Sequence, residues 1–330
     1  MIETILEKAL NDEKLKSEEI AQLFNIPLFT DESARIIAAG RRKSSQASDN
    51  KAEVHGQLGL NIASCPGNCK FCSFAAVNGI FQESEEISPE EAVRMAQNFE
   101  KSKANAIFVM ATAQYPFKKY VEMGQELSRN LEPETVLIAN FGDLTKEQAR
   151  DLKDAGFSGI YHAVRLGEDR VTNFQVEARL KTFQNAKEAG LLLGTCLEPV
   201  GNEHTTKELV EKTIITRDAE PVYSGSARRI PIPETELAKH GIVSEARMAH
   251  ILAAVRLALP SSVPGNCTHE PNVIGCAAGA NLLWAESGSN PRDTEKETEG
   301  IRGMTVNDCR EVLQEAEWEV LDGPSQFYSG

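Results

Sequence analysis

The sequence predicts a (β/α)8 barrel of the TIM type, complete or near-complete, with a helical cap at its N-terminal side. At 330 residues the chain has the length of one large α/β domain. Beyond residue 50, short continuous apolar runs alternate with amphipathic helical patterns, which is typical of parallel strands covered by helices on both faces. In such a barrel a functional site is expected at the C-terminal ends of the strands.

Residues 1–50 form the predicted helical cap. Apolar residues recur at helical spacing between positions 5 and 10, Ser17 begins a second helix, and Thr30 begins a third. The polar stretch 41–51 is expected to be an exposed linker that leads into the first strand.

Residues 51–294 form the predicted barrel, and residues 295–330 are expected to close one side of it. The apolar runs that we interpret as strands after the first one are 105–111, 135–141, 159–164, 191–197, 228–232 and 281–285. Among the intervening helices, one begins at Ser88-Pro89 and another begins with a capping box at Thr145 and ends at Gly156.

Composition excludes several classes of partner. Hydrophobic residues make up 41% and charged residues 25% of the chain, as in ordinary globular proteins. The net charge of -14, without any Lys/Arg-rich run, argues against a nucleic-acid partner. No apolar run reaches the roughly 20 residues of a membrane span, and the acidic start lacks the pattern of a signal peptide. We therefore expect a cytoplasmic protein without a membrane segment.

Three cysteines follow the first apolar run at a C-x3-C-x2-C spacing: Cys65, Cys69 and Cys72. Three thiolates on so short a loop can converge on one iron-sulfur cube and leave one iron without a protein ligand. A structural zinc site would need a fourth ligand at regular spacing, and the next cysteine is Cys196. A disulfide arrangement does not suit three cysteines in a protein expected to be cytosolic.

The cysteine spacing, with Phe71 directly before the third cysteine, resembles the signature of the radical S-adenosylmethionine (SAM) superfamily. The resemblance implies that the open iron of a 4Fe-4S cluster binds the amino and carboxylate groups of SAM. It also implies that one electron cleaves SAM to methionine and a 5'-deoxyadenosyl radical, which takes hydrogen from the substrate. The alternative is a site that holds a cluster or a metal without catalysis.

Four segments, three of them in the C-terminal third, are similar to the biotin synthase group of this superfamily. The similar segments are 144–156, 230–237, 249–260 and 278–284. The group includes biotin synthase, archaeal-type lipoyl synthases, methylornithine synthase and hydrogenase-cofactor maturases. Biotin synthase holds an auxiliary 2Fe-2S cluster with cysteines on its second, third and fifth strands and an arginine. Here Val109 and Ile138 take the first two of those positions and Cys196 is displaced by about one residue, which argues against ordinary biotin synthesis. The maturase of methanogens has five residues between its first two cysteines, against three here.

Polar side chains follow most of the predicted strands, where we expect contacts with SAM or with the substrate. Arg165 is the candidate for the SAM carboxylate and Glu168 for the ribose, with the turn 198–201 beneath the adenine. A surface arginine and a helix-capping acid are the alternative interpretations of these two. Arg228 and Arg229 are expected on opposite faces of a strand, so that at most one points inward. The candidates are Tyr115, Asn140, His162, Arg165, Glu168, Glu198, Arg228, His269 and Glu270.

Four cysteines remain after the loop. Cys196 and Cys267 lie near predicted strand ends and could bind a second iron-sulfur cluster or the substrate, although buried inert thiols are common. Cys276 and Cys309 fall in helical patterns, where a structural role is favoured.

The expected function is reductive cleavage of SAM and hydrogen abstraction from a polar or carrier-bound precursor in cofactor biosynthesis, by rearrangement or fragmentation. A ferredoxin or flavodoxin would donate the electron. Two alternatives stay open: sulfur insertion of the lipoyl or biotin type with a second cluster, and a maturation protein that carries a cluster without catalysis.

Overall fold

The structure is a computed structural model that describes residues 2–329. Met1 and Gly330, at the outer ends of the predicted cap and closing segment, lie outside the described residues. The helices are α1 (Ile2–Leu10), α2 (Ser17–Asn25), α3 (Asp31–Ala47), α4 (Pro89–Lys101), α5 (Phe117–Asn130), α6 (Lys146–Asp154), α7 (Val176–Glu188), α8 (Thr206–Asp218), α9 (Glu245–Ala258), α10 (Val273–Ala277) and α11 (Val306–Glu315). The strands are β1 (Lys51–Gly59), β2 (Asn61–Ile62), β3 (Glu85–Glu86), β4 (Ala106–Met110), β5 (Leu137–Asn140), β6 (Phe157–Tyr161), β7 (Leu192–Gly194), β8 (Leu197–Val200), β9 (Tyr223–Arg228), β10 (Gly265–His269), β11 (Leu282–Gly288) and β12 (Glu319–Val320).

The barrel strands are all parallel and close on themselves. Around the barrel the order is β1, β4, β5, β6, then β7 and β8, which share one position, then β9, β10 and β11, which returns to β1. Both β7 and β8 pair with β9, and the chain between them is irregular. The prediction of a (β/α)8 barrel is therefore confirmed.

Aromatic rings fill the interior of the barrel. His55, Phe108, Tyr223 and Trp284 lie with ring centroids between 5.5 and 6.5 Å apart, and Phe327 from the end of the chain packs among them. The carboxylate of Glu53 accepts backbone hydrogen bonds from Gln326 and Phe327 at 2.7 and 3.2 Å. These contacts close the N-terminal end of the barrel, which leaves the C-terminal ends of the strands for a site.

The first three helices pack mainly against α8 and α9 on the outside of the barrel. Ser17 begins α2 and Thr30 is the N-cap of α3, as predicted. The prediction of an exposed linker at 41–51 is wrong, because α3 continues to Ala47 and β1 begins at Lys51. Lys43 is buried there, where its Nζ donates a hydrogen bond to the Ala9 carbonyl. The division into cap, barrel and closing segment remains a prediction.

The predicted helix starts at Ser88 and Thr145 are confirmed as N-caps, whereas two strand predictions are wrong. β9 lies at Tyr223–Arg228 rather than at 228–232, and Gly265–His269, which is not among the predicted strands, forms β10. Both strands are rich in Ser, Gly, Asn and Thr, so they lack an apolar run. Pairing with neighbouring strands on both sides places them in the sheet despite their composition.

Within residues 2–329, none of the helices is both long enough and apolar enough to cross a membrane.

Candidate active site

A cavity of about 220 Å³ opens at the C-terminal ends of the barrel strands. Most of the residues predicted for the site line this one cavity, although they come from loops more than 200 positions apart. They are Cys65, Cys69, Cys72, Asn140, His162, Arg165, Glu198, Arg228 and His269. The barrel topology brings them together because parallel strands place all their C-terminal ends on one side.

The cysteine loop is held by backbone hydrogen bonds within itself and to neighbouring loops. The Cys65 amide donates to the Phe74 carbonyl at 2.6 Å, and the Cys72 amide donates to the Cys69 carbonyl at 2.9 Å. At Gly67 the ring of Phe174 packs so closely that a Cβ would lie 2.4 Å from it. A side chain at position 67 would therefore displace either Phe174 or the loop.

Burial disfavours the charged form of two thiols of the loop, Cys69 and Cys72. Burial raises the pKa of Cys69 to about 11, against the opposing charge of Arg165, and burial together with the nearby Cys69 thiol raises the pKa of Cys72 to about 12. Thiolates at these positions therefore need the positive charge of a bound metal centre.

The three thiols fit an iron-sulfur cube better than a single ion. Among residues 2–329, no group of three or more His, Cys, Asp or Glu side chains converges on one point that a metal ion could occupy. In a cube each cysteine binds a different iron, so the thiols need to surround the cluster rather than meet. Cys65, Cys69 and Cys72 border the same cavity, as such an arrangement requires.

Arg165 follows β6 and lies close to the carboxylate of Glu198 in β8, with its Nε 3.4 Å from Oε1. Burial by itself would lower the pKa of Arg165, but the carboxylates of Glu198 and Glu168 outweigh it and raise the pKa above its ordinary value. The guanidinium is therefore permanently charged and faces the cavity next to Cys69.

His162 belongs to a buried network with an acid and an arginine. Asp143 Oδ1 lies 3.0 Å from both His162 Nε2 and Arg179 Nη1. Burial lowers the pKa of His162 to about 4, although the hydrogen bond to Asp143 acts in the opposite direction. The imidazole is therefore neutral near pH 7, so that one of its nitrogens donates a hydrogen bond and the other accepts one.

Three predicted residues do not line the cavity. Glu168 is fully buried in the loop after β6, where it accepts hydrogen bonds from the Arg165 amide at 3.0 Å and Thr172 Oγ1 at 2.7 Å. Tyr115 packs into the core around the outer helices. Glu270 forms an ion pair with Arg302 at 2.9 Å, behind the cavity wall. Direct contact of these three side chains with a ligand is therefore not supported.

Arg228 and Arg229 both border the cavity, and the expectation that at most one of them points inward remains a prediction. β9 ends at Arg228, so the alternation of a strand no longer applies to the next residue. Arg228 Nη2 lies 3.2 Å from Glu245, and Arg229 Nη2 donates to Glu203 Oε2 at 2.8 Å.

His269, at the end of β10, lies in a cluster of charged groups. Its Nε2 is 3.1 Å from Glu286 Oε1, without the alignment of a hydrogen bond. Burial, followed by the positive charges of Arg292, Arg302 and Arg228, lowers the pKa of His269 well below its ordinary value. A neutral imidazole thus faces the cavity.

Several lining residues were not predicted. Arg179 projects from α7, stacks over the Phe174 ring at 3.9 Å and lies near the cysteine loop. Gln57, Phe108 and Trp284 reach the cavity from within their strands. No sequence signal marks them, because a helical arginine and inward-facing strand residues look the same in any barrel.

The remaining cysteines separate into two places. Cys196 and Cys267 line the cavity with their Sγ atoms 2.7 Å apart. Cys276 and Cys309 belong to the core between the barrel and its helices, as their helical patterns indicated. The four thiols therefore do not form one set of ligands.

Comparisons with known proteins agree with this geometry. The model of the radical SAM superfamily matches residues 62–214, which include the cysteine loop. The biotin synthase of Anaplasma marginale strain Florida is 24% identical over 285 residues, which cover 81% of this chain and 85% of that protein.

Two solved structures share the fold. Methylornithine synthase (PylB) superposes with a TM-score of 0.79 at 13% identity and covers 98% of each chain. The FeFe-hydrogenase maturase HydG from Carboxydothermus hydrogenoformans gives a TM-score of 0.79 at 18% identity, over 99% of this chain and 80% of that one. Radical SAM proteins use a 4Fe-4S cluster and SAM, and the three-cysteine cavity suits both. Residues 62–214 thus form a radical SAM domain, and the chain as a whole is similar to the biotin synthases at low identity.

Proposed function

We propose that this enzyme takes hydrogen from a small polar or carrier-bound precursor and so starts a rearrangement or fragmentation in cofactor biosynthesis. The observation that carries the proposal is that the three thiols and a wall rich in arginine share one cavity. When bound there, the cluster and SAM supply the electron transfer and the radical that such a reaction requires. The tasks of the chain are to bind, to orient and to exclude water.

Residues of the cysteine loop and of the neighbouring strand ends would bind the cluster and SAM. We assign Cys65, Cys69 and Cys72 as the protein ligands of the cluster. Arg165, which lies near Cys69, is the cation suited to the SAM carboxylate, and Glu198 beside it is suited to the polar groups of the nucleoside. These side chains are far from the cysteines in the sequence, and the closed barrel brings them together.

The charge of the cavity indicates the class of substrate. The charged side chains that line it, apart from the thiols, are Arg165, Arg179, Arg228, Arg229, Arg292 and Glu198. Five of these six are cationic, although the whole chain has a net charge of -14. Arg165 is assigned to SAM, and Arg179 and Arg229 pair with Asp143 and Glu203. That leaves Arg228 and Arg292, which also have carboxylate partners in Glu245 and Glu286, to bind the anionic groups of a polar precursor.

Below these arginines the cavity is apolar. Phe108, Tyr161 and Trp284 line it and continue into the aromatic interior of the barrel. Such a wall excludes water from the reacting atoms, which protects a radical from side reactions. The precursor would therefore bind with its polar groups toward the arginines and its carbon skeleton against the rings.

The proposal also includes an electron donor of the ferredoxin or flavodoxin type. The support for it is that all three cysteines are partly exposed on the open side of the barrel. Val77, five residues after Cys72, is largely exposed.

The test is anaerobic reconstitution of the cluster, addition of SAM and dithionite, and detection of 5'-deoxyadenosine. We expect it to form with the wild-type protein and with Cys276→Ala, which alters a buried thiol remote from the cavity. We expect none with Cys69→Ala. A loaded wild-type protein that never cleaves SAM would instead support the cluster-carrying maturation protein.

Sulfur insertion is the second candidate, and the closeness of Cys196 and Cys267 in the cavity favours it. Sulfur insertion needs an expendable sulfur source, which two cavity thiols could help to hold. About four irons per chain after reconstitution supports the single-cluster proposal. Six or more irons, decreasing when both cysteines are changed to Ala, supports sulfur insertion.

A further inference from the structure

The closest pair of thiols in the cavity has no role in the single-cluster proposal. Cys196 Sγ and Cys267 Sγ lie 2.7 Å apart, and 71 positions separate the two residues along the chain. Both side chains are buried in the wall of the cavity. The proximity is therefore a product of the barrel and not of local sequence.

Strand β9 lies between the two cysteines and leaves room for them. Cys196 lies in the irregular segment between β7 and β8, which pair with one edge of β9, and β10 with Cys267 pairs with the other edge. Directly opposite Cys267 in β9 is Gly225, at a φ of +135°. A Cβ there would lie 2.1 Å from the Cys267 carbonyl oxygen, so only glycine fits. No side chain from β9 therefore intervenes at this level.

We propose that Cys196 and Cys267 form a reversible dithiol–disulfide couple in the wall of the cavity. A disulfide bond is about 2.05 Å long, so the two sulfur atoms need to approach by less than about 1 Å. Side-chain rotation, together with a small movement of the irregular segment that carries Cys196, would bring the sulfur atoms to this distance. The inference does not depend on which substrate the enzyme uses.

The oxidant is a small soluble disulfide such as oxidised glutathione. One cysteine, as thiolate, attacks a sulfur of the oxidant and releases one molecule of reduced thiol, which leaves a mixed disulfide. The second cysteine then attacks the protein sulfur and releases the other reduced thiol. The two protein thiols lose two electrons and two protons in total, and the oxidant gains them as two thiols.

Burial sets the rate of this exchange. Burial, followed by the hydrogen bond with Cys267, raises the pKa of Cys196 well above its ordinary value. The thiolate fraction is small near neutral pH and increases about tenfold per pH unit. Oxidation should therefore accelerate with pH, while reduction by dithiols restores the pair.

The redox state changes what the cavity offers to a ligand. In the reduced state two neutral thiols face the wall shared with Tyr161 and Trp284, and in the oxidised state their polar hydrogens are gone. The bond also links the β7–β8 position to β10 across β9. The ratio of disulfide to thiol in the surrounding solution thereby determines whether this part of the cavity wall carries two thiols or a disulfide.

The test uses the cluster-loaded protein without oxygen, in which the loop cysteines are occupied. After incubation with oxidised glutathione, free thiols are alkylated under denaturing conditions and tryptic peptides are identified by mass spectrometry. We expect peptide 188–207 linked to peptide 257–292, lighter by two hydrogen atoms than the reduced pair. Dithiothreitol should restore both thiols, and the rate of linkage should increase between about pH 7 and pH 9.

Peptide 257–292 also contains Cys276, so Cys276→Ala serves as the matched control and should leave the linkage unchanged. The linked wild-type protein should melt roughly 5 °C higher than the reduced protein, because the bond closes a long loop. The Cys196→Ser protein should show no such increase.

Two results would overturn the proposal. One is wild-type protein in which both thiols stay alkylatable at pH 9 after prolonged exposure to oxidised glutathione. The other is an iron and sulfide content that decreases when Cys196 and Cys267 are changed to Ser, because the pair would then hold a cluster.

Discussion

Arg165 and Glu198 form an ion pair across neighbouring strand ends, with 3.4 Å between Nε and Oε1. The pair holds one edge of the guanidinium and leaves the group facing the cavity, near Cys69. An arginine fixed in this way is prepared for a carboxylate, since little side-chain entropy remains to be lost on binding. We therefore expect SAM binding to be sensitive to any change of Arg165.

Changing Arg165→Lys should weaken SAM binding about tenfold or more, because an ammonium cannot make the paired contacts of a guanidinium. Equilibrium dialysis of SAM with the cluster-loaded protein measures this. Arg170→Lys is the control, since Arg170 is exposed and pairs with Glu208 away from the cavity. Unchanged SAM affinity in the Arg165 variant would remove this residue from the site.

Changing Cys69→Ala should abolish the visible absorbance of the cluster and all SAM cleavage. The reason is that two thiolates are too few to hold a cube whose fourth iron already lacks a protein ligand. Absorbance and 5'-deoxyadenosine measure the two effects, and circular dichroism checks that the variant is folded. Cys309→Ala, in the outer core, should keep both properties. Cleavage at the wild-type rate by the Cys69 variant would contradict the ligand assignment.

The neutral state of His162 can be measured directly. With a pKa of about 4, its imidazole should not titrate between about pH 5 and pH 8. Nuclear magnetic resonance of protein with labelled histidine would show this, and the signal missing from His162→Gln identifies the residue. Changing Asp143→Asn removes the hydrogen-bonded charge that raises the pKa and should lower it further. A transition near the ordinary value of 6.5 would contradict the burial of this network.

Lys43 gives a prediction about stability and pH. Burial lowers its pKa from 10.5 to about 8, so between these values the unfolded chain binds more protons than the folded chain. The free energy of unfolding should therefore increase with pH across this window, by up to about 3 kcal/mol from this residue. The penalty of the buried charge is fully present below pH 8.

The measurement compares the melting temperatures of wild type and Lys43→Met at several pH values. The difference between them should change by several degrees as the pH increases from about 8 to 10, because the variant lacks the group that titrates. For Lys118→Met, which alters an exposed lysine, the melting temperature should change with pH as it does for the wild type. Parallel curves for Lys43→Met as well would show that this lysine is not buried in solution.

Local features of the sequence were sufficient for the fold class and for the centre of the site. The cysteine spacing around Cys69 carries its chemistry within eight residues, and the capping box at Thr145 stabilises its helix through neighbours in sequence. Continuous apolar runs identify most barrel strands because both of their faces are buried. Once the strands are known to be parallel, their ends share one side, which is why Arg165 and His269 could be expected near the cysteines.

What the tertiary structure decided depends on partners far away in sequence. β10 becomes a strand because β9 and β11 pair with it, although Asn266 and Thr268 are polar. Lys43 is buried because α3 packs against α9, and Glu168 is turned into its own loop rather than toward the cavity.

The sequence by itself determined an alternating α/β pattern and three thiols spaced for a cube. Only the closed barrel decided that Cys196 and Cys267 meet, that Arg179 reaches the cavity from a helix, and that Arg229 borders the cavity beside Arg228. The physical reason is that local sequence sets backbone preference and burial pattern, whereas strand register and barrel closure bring side chains from distant loops within a few ångströms.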